Sequence, residues 1–263
     1  MDRVLKIYLL TFLLGLSGLA FTPYLPLFGP SGVTEVTPVT FGATTWYEPS
    51  RSYTTNGGIA TLANLTSLGS IFDLTNHTTL GFPVRQVAIQ NGLDGLFFNS
   101  AVTNWLECTN YQTMTPHEMI FAIAITNNAA VRTIFNSMNF PTTHDFLVGL
   151  AGPAKFQVQT DSHGGSSTSV FTNQYIVVNA FITATNCRVF TNLGAGVLVG
   201  GTVTATNCDG MLIGRRNAIQ FASAPQAGLF SLLALITFTN QYISVATRSN
   251  CYWYLTNRFN LAP

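Results

Sequence analysis

Short apolar runs, separated by polar and turn-forming stretches, dominate the chain from Thr44 onward. The runs recur roughly every 8 to 12 residues, which is the spacing typical of strands in a β-sandwich. Residues 96–98 and 120–125 are apolar without interruption, as central strands covered on both faces usually are. The strands predicted most clearly are 95–98, 119–125, 132–135, 146–150, 156–159 and 175–182. The pattern therefore predicts an all-β protein.

The segment 171–216 carries the densest strand pattern. Its β-rich runs, separated by Asn- and Gly-containing stretches that suit turns, are 175–183, 187–191, 197–206 and 211–214. We expect these runs to form an antiparallel meander. Cys187 and Cys208 would then lie on neighbouring strands, close enough for a disulfide. We nevertheless expect all four cysteines of the chain to be buried thiols, with the disulfide as the alternative.

The best helix candidate is 240–259, close to the C-terminus. Thr239 or Asn240 can cap its start with a side-chain oxygen. Arg258 lies near its end, where a positive charge interacts favourably with the helix dipole. We therefore predict one short C-terminal helix beside the strands.

An apolar run opens the chain. Arg3 and Lys6 precede the apolar residues 7–20, which is the pattern of a secretory signal peptide. The run is shorter than the roughly 20 residues that a membrane-spanning helix needs. We expect residues 1–22 to be retained as a hydrophobic anchor helix, with removal as a signal peptide as the alternative. The expected anchor side chains are Ile7, Leu10, Phe12, Leu13, Leu14 and Leu16.

Residues 23–42 separate this apolar run from the strand-rich part of the chain. Pro23, Pro26, Pro30 and Pro38 fall in this stretch, and repeated prolines prevent a continuous helix. We predict a semi-rigid Pro/Gly-rich arm over 23–42, which leaves 43–263 for the β-sandwich.

Charge is scarce in this chain. Charged residues make up 8% of the sequence and the net charge is +1, whereas an ordinary soluble domain has roughly 25% charged residues. A basic field for nucleic acid is therefore absent from the composition, and we predict no nucleic-acid partner. A weakly charged surface packs laterally at little desolvation cost, which favours a homo-oligomer or a larger assembly.

Several short motifs follow one another in order after residue 44. They are TWY at 45–47, GGIAT at 57–61, NGLDGLFFN at 91–99, MLIGRR at 211–216, GLFSLLA at 228–234 and YL at 254–255. In this order they resemble the LamG-like (concanavalin A-like lectin/glucanase) domains of phage and bacterial proteins. The resemblance extends from about residue 42 to the C-terminus, and it implies a jelly-roll β-sandwich.

Candidate ligand-binding residues lie at the expected strand ends, where sandwich proteins often bind ligands. His144, Asp145, Asp161 and His163 fall in predicted loops, and Trp105 could stack on a sugar ring. A loop carboxylate with nearby carbonyl groups could also hold Ca²⁺, although we expect no obligatory cofactor. The other two tryptophans, at positions 46 and 253, are expected in the core.

The acidic residues give no sign of catalysis. A glycoside hydrolase needs two facing carboxylates, and no two acidic residues stand two apart on one predicted strand. We therefore predict that the chain is not an enzyme.

The function expected from these observations is structural. The first hypothesis is a virion protein, such as a phage capsid decoration, fibre or spike component. Other virion subunits would hold its N-terminal segment, and its sandwich would contact host-surface glycans. The alternative is a secreted or membrane-tethered bacterial carbohydrate-binding protein at the cell surface or outside the cell.

Overall fold

The computed structural model describes most of the chain after residue 34. The described residues are 35–76, 81–99, 104–113, 117–126, 132–137, 146–150, 155–160, 163–166, 172–183, 186–192, 197–200, 208–214 and 229–262. The chain divides into two units, 1–36 and 37–263, and the second unit holds every element described below. The predicted anchor lies outside the described residues, so the anchor and the predicted domain bounds stay predictions.

The described residues of the second unit are mostly β-strand. The strands are β1 (Thr45–Tyr47), β2 (Tyr53–Asn56), β3 (Ile59–Leu62), β4 (Leu74–Asn76), β5 (Val84–Gln90), β6 (Leu93–Phe98), β7 (Leu106–Thr113), β8 (His117–Ile125), β9 (Arg132–Ser137), β10 (Phe146–Leu150), β11 (Phe156–Thr160), β12 (His163–Ser166), β13 (Tyr175–Ile182), β14 (Asn186–Thr191), β15 (Val197–Gly200), β16 (Cys208–Ile213) and β17 (Phe230–Thr239). The α-helices are the single turn α1 (Pro49–Ser52) and the longer α2 (Val245–Phe259). Short 3-10 turns lie at Pro38–Phe41 and Ser70–Phe72.

The strands form two antiparallel sheets. The first sheet has the order β15-β14-β13-β8-β17-β6-β5, with β1 also pairing with β17. The second has the order β12-β11-β10-β9-β16-β7-β4-β3-β2. An all-β protein with two antiparallel sheets and a C-terminal helix is therefore confirmed.

The main core lies between the two sheets. Alternate residues of β8, such as Phe121 and Ile123, point into it and are fully buried. The second sheet contributes residues such as Phe135 of β9 and Val148 of β10. The rings of Phe121 and Phe135 meet edge to face with centroids 4.8 Å apart, so aromatic packing joins the two sheets.

A second core lies on the other side of the first sheet, beneath α2. Ile120 and Ala122, which alternate with the inward residues of β8, pack there with Cys251, Leu255 and Phe259 of α2. The central strand β8 is therefore buried on both faces, as the uninterrupted apolar run 120–125 predicts.

The helix begins five residues later than predicted. β17 continues to Thr239, and Asn240 adopts a left-handed φ of 57°, which does not continue into a helix. The cap is Ser244, whose hydroxyl accepts a hydrogen bond from the Thr247 amide at 3.0 Å, and not Thr239 or Asn240. Among the described residues, no helix is long and apolar enough to cross a bilayer.

Two tryptophan predictions have different outcomes. Trp46 is 4% exposed and belongs to the core under α2, as expected. Trp253 is 52% exposed, so its expected place in the core is wrong. The reason is helix geometry: Cys251, Tyr252 and Leu255 define the buried face of α2, and Trp253 projects away from it.

The predicted meander holds for three of its four strands. β13, β14 and β15 pair in succession, but β16 joins the second sheet between β9 and β7. Cys187 and Cys208 therefore lie on strands of different sheets, and their expected position on neighbouring strands is wrong. Cys108, Cys187 and Cys251 are buried, as expected, and the side chain of Cys208 lies outside the described residues, so the disulfide alternative stays untested.

Candidate functional site

Most of the ligand-binding residues predicted from the sequence lie outside the described residues. His144, Asp145 and Asp161 are in this group, and His163 is described only as the backbone start of β12. Their grouping and the predicted calcium ion therefore stay predictions. In the described ranges, no cluster of three or more His, Cys, Asp or Glu side chains could hold a metal ion.

Trp105 is the predicted site residue that the structure places. It is half-buried directly before β7, and its carbonyl accepts a hydrogen bond from Asn76 Nδ2 at 2.7 Å. The alternation of β7, continued back by one residue, puts Trp105 on the same side of the sheet as Glu107. That side faces away from the core, because Leu106 points into it.

A fully buried carboxylate, Glu48, joins the two helices. Its Oε1 accepts hydrogen bonds from Ser50 Oγ at 2.6 Å, Arg51 Nε at 3.1 Å and Arg258 Nη2 at 2.8 Å. The hydroxyl of Tyr254 donates to Oε2 at 3.0 Å. Burial, together with the negative charge of Glu48, raises the pKa of Tyr254 well above its ordinary value. This cluster fixes the C-terminal half of α2 to the start of the sandwich.

A second fully buried carboxylate, Glu118, lies on the face of β8 that α2 covers. Arg248 of α2 binds it in bidentate fashion, with Nε 2.5 Å from Oε1 and Nη2 2.9 Å from Oε2. Asn179 of β13 donates its Nδ2 to Oε1. The Arg248 guanidinium also lies 5.9 Å from the ring centre of Phe181 and 6.0 Å from that of Phe190.

His117 lies next to Glu118 but on the opposite face of β8, between the two sheets. Its Nε2 is 2.8 Å from the hydroxyl of Tyr111 on the second sheet, and its ring meets Phe146 edge to face. Burial lowers the pKa of His117 to about 3, because the interior disfavours the charged ring. The imidazole is therefore neutral at ordinary pH and inaccessible to a ligand.

These three clusters use their polar groups to hold the fold together. Glu48 and Glu118 are each 0% exposed, and arginines from α2 neutralise both carboxylates. Sequence reasoning missed both of the buried carboxylate clusters. The available signal was Glu118 at the start of the apolar β8 and Asn179 within the apolar β13, since a polar residue in a central strand needs a partner.

The outer face of the second sheet carries a different arrangement, which we call the polar row. It consists of Thr54, Thr61, Thr75 and Glu107, which stand directly opposite one another on β2, β3, β4 and β7. Their strand neighbours Leu62, Leu74 and Leu106 point into the core, so the row faces outward. Thr54 is exposed and the other three are half-buried.

The row continues across the sheet into a buried half. Leu212 stands opposite Glu107, Asn136 stands opposite Leu212, and Leu147 stands opposite Asn136. These three side chains are buried, so a ligand can reach only the part from Thr54 to Glu107. That part crosses three strand intervals, or roughly 14 Å at about 4.8 Å each.

The chemistry of the accessible row is that of neutral hydroxyl groups beside one carboxylate. The threonine hydroxyls can donate and accept hydrogen bonds, and the Glu107 carboxylate accepts them. Glu107 is the one charged member of the row. With Trp105 beside it, the row offers polar contacts along its length and an aromatic side chain at its end.

Comparison with known proteins identifies the class of fold. No known protein family matches the sequence, and no curated protein matches it either. Trypanosoma rangeli sialidase in complex with sialic acid is similar in structure, with a TM-score of 0.57 and 12% identity over 86% of this chain. A GH54 α-L-arabinofuranosidase soaked with a cyclic sulfate inhibitor has a TM-score of 0.54 and 8% identity over 85% of this chain.

The matched regions are parts of larger chains. This chain spans about a third of the sialidase (35%) and 66% of the arabinofuranosidase. At these identities the likeness shows the fold alone, which agrees with a β-sandwich. Mouse laminin α1 domains LG4-5 match over 52% of this chain, with 9% identity and a TM-score of 0.39, too low to support an argument.

The prediction that the chain is not an enzyme is corrected by these matches. The sialidase and the arabinofuranosidase share the fold of this chain over most of its length. A scarcity of acidic pairs in the sequence therefore does not separate this chain from enzymes. The reactions of those proteins belong to them, because fold does not determine activity.

Proposed function

We propose that the chain is a carbohydrate-binding β-sandwich of the LamG-like jelly-roll kind, which binds a neutral glycan along the polar row. The observation that carries the proposal is the row itself, Thr54 to Glu107, with Trp105 on the same side of the sheet. The β-sandwich likeness to two sugar-processing enzymes is consistent with it.

The physical fit rests on matching hydroxyl groups. A sugar hydroxyl both donates and accepts hydrogen bonds, as do the threonine hydroxyls of the row. Glu107 can accept a charge-assisted hydrogen bond from a sugar hydroxyl, and such bonds are stronger than neutral ones. Trp105 supplies an aromatic surface for the apolar face of a sugar ring. The three threonine hydroxyls of the row are neutral and match the hydroxyl groups of a neutral glycan.

The test is a screen of the full chain against neutral and sialylated oligosaccharides, followed by titration calorimetry on those that bind. We expect Trp105→Ala and Glu107→Gln each to weaken binding roughly tenfold or more, since each removes about 1.4 kcal/mol or more of favourable contact. The matched control is Trp253→Ala, which removes an exposed tryptophan from α2.

Three outcomes would count against the proposal. They are a failure of every neutral oligosaccharide to bind, a preference for sialylated ones, or loss of binding in Trp253→Ala with Trp105→Ala unaffected. Circular dichroism of each variant separates lost contacts from lost folding. Glu107→Gln preserves size and so remains informative if Trp105→Ala unfolds.

A second proposal concerns where the domain works. A charged fraction of 8% supports a structural component of a virion, displayed as an oligomer and held by other virion subunits through residues 1–22. The alternative is a secreted or membrane-tethered protein at the cell surface. Intact mass and N-terminal sequencing of the native protein decide between them: a chain starting near Phe21 contradicts the virion anchor, and recovery of Met1 only with a large particle supports it.

A further inference from the structure

A second row of side chains lies beside the polar row on the outer face of the second sheet. The strands concerned are antiparallel and their side chains alternate between faces. This row therefore lies two residues after the polar-row member on β2 and two residues before it on β3 and β7. The described members of this flanking row are Asn56, Ile59 and Trp105. Asn56 and Ile59 stand directly opposite each other, so the face carries two parallel rows.

The flanking row adds apolar surface to the hydroxyl groups of the polar row. Ile59 is 40% exposed and Trp105 is half-buried. β4 lies between their strands, so two strand intervals separate Ile59 from Trp105, or roughly 10 Å at about 4.8 Å each. The polar row offers hydrogen bonds to sugar hydroxyls, and Ile59 and Trp105 offer contact to the carbon-bound hydrogens of a sugar ring. Together the two rows match both kinds of surface that a sugar ring presents.

The spacing of the rows restricts the shape of the glycan. Each strand carries one member of the polar row, so polar contacts repeat at every strand interval of about 4.8 Å. One hexose of an extended linear chain occupies a length close to that interval. Where successive sugars alternate in orientation, every second sugar presents the same edge, which matches the two intervals between Ile59 and Trp105. A coiled glycan would curve away from the rows after a few sugars.

We propose that the two rows bind a linear neutral glycan with an extended backbone, which lies across the strands with one sugar on each of β7, β4, β3 and β2. This inference rests on the proposed function, because it assigns a shape and a length to the glycan bound at the polar row. The sugar on β7 contacts Trp105 and Glu107, and the sugar on β3 contacts Ile59 and Thr61. The bound segment ends after four strands, because Leu212 on the next strand is buried and β2 is the edge of the sheet.

The experiment is titration calorimetry of the full chain with two series of glucose oligomers, from the monosaccharide to the hexasaccharide. Cello-oligosaccharides are extended, and malto-oligosaccharides of the same lengths coil. We expect the affinity for the cello series to rise with each sugar up to the tetrasaccharide and then to level off, because a fifth sugar finds no further strand of the accessible row. The affinity for the malto series should level off earlier and at a lower value.

A variant tests the flanking row away from Trp105. Ile59→Thr keeps a β-branched side chain that suits a strand but removes part of the apolar surface. We expect it to weaken binding of the tri- and tetrasaccharides roughly fourfold, as for the loss of contact with one methylene group. The disaccharide, held on β7 and β4 by Trp105 and Glu107, should bind unchanged. The matched control is Val87→Thr on β5 of the first sheet, where Val87 is 73% exposed and no change is expected at any length.

The outcomes separate this inference from the proposed function. If glucose or cellobiose binds as tightly as cellotetraose, or if the two series bind equally at every length, the extended site is overturned and the proposed function stands. The same holds if other neutral oligosaccharides bind and the cello series does not. A failure of every neutral oligosaccharide to bind contradicts the proposed function and this inference together. If Ile59→Thr fails to fold, the length series of the wild-type chain still decides the question.

Discussion

The outer faces of the two sheets differ in polarity and in burial. The outward residues of the first sheet are mainly apolar, as at Ile120 and Ala122, and α2 covers them. The outward residues at the accessible end of the second sheet are threonines and Glu107, of which Thr54 is exposed and the others are partly buried. Both faces follow the same two-residue alternation, so residue type decides whether a face is covered or available to a ligand.

Two buried ion pairs between side chains also attach α2 to the body of the sandwich. Glu118 and Glu48 attach α2 through Arg248 and Arg258 near its two ends. Buried ion pairs of this kind add little net stability, because desolvation offsets much of the attraction. Their effect is to penalise any other position of the helix, since a displaced helix would leave a buried carboxylate unpaired. We infer that the two arginines determine the position of α2, whereas the apolar contacts supply most of the stability that holds the helix there.

The strongest test of this comparison removes one arginine. Arg248→Met keeps the apolar stem and leaves Glu118 buried without its cation, so we expect a loss of roughly 3–5 kcal/mol in the free energy of unfolding. Denaturant unfolding measures it. The control is Arg85→Met: Arg85 Nε is 2.6 Å from Asp94, but its side chain is 50% exposed, and we expect a loss of about 1 kcal/mol or less.

The outcome is decisive in either direction. Equal losses of unfolding free energy for Arg248→Met and Arg85→Met would show that breaking the buried pair costs no more stability than breaking an exposed one. The double variant Glu118→Met/Arg248→Met removes both charges, and we expect it to recover much of the stability lost in the single variant.

The next prediction concerns the other side of β8. The folded protein holds the pKa of His117 at about 3, against an ordinary value of 6.5. Between these two values the unfolded chain binds a proton that the folded chain does not, so acid favours unfolding. The free energy of unfolding should fall by about 1.4 kcal/mol for each pH unit below 6.5, or roughly 3 kcal/mol by pH 4.

The reference for that measurement is His117→Gln, which can still hydrogen-bond with Tyr111 but does not titrate. Denaturant unfolding of both proteins from pH 7 to pH 4 should show the steeper pH dependence in the wild type alone. Equal slopes would mean that His117 is not held neutral in the folded protein.

The sequence predicts the strands well because alternation and apolar runs are local. The run 120–125 is apolar throughout, and β8 is indeed buried on both faces. The assignment of β16 failed for a non-local reason. Consecutive strands usually pair, but the chain carries β16 across to the second sheet, and an apolar run does not show which sheet it joins.

The arginine clusters could not be predicted because their members are far apart in sequence. Arg248 and Glu118 are separated by 130 residues, and Arg258 and Glu48 by 210. The polar row has the same difficulty, since Thr54 and Glu107 share a face only through two intervening strands. The sequence indicates Trp105 as a ligand-binding residue from its residue type alone. The side of the sheet on which Trp105 lies could not be predicted, because it depends on the register of β7.

The smallest effect expected on the covered face concerns the start of α2. Ser244 caps the helix by accepting a hydrogen bond from the Thr247 amide, and Ser244→Ala removes that acceptor. We expect a loss of about 1 kcal/mol in the free energy of unfolding, because the first turn keeps an unsatisfied amide. The matched control is Ser249→Ala within the same helix, where alanine is the better helix former and stability should stay level or rise slightly. A loss in both variants would show that α2 is sensitive to any serine substitution, whereas a loss in Ser244→Ala alone would assign the effect to the cap and confirm that the helix begins at Val245.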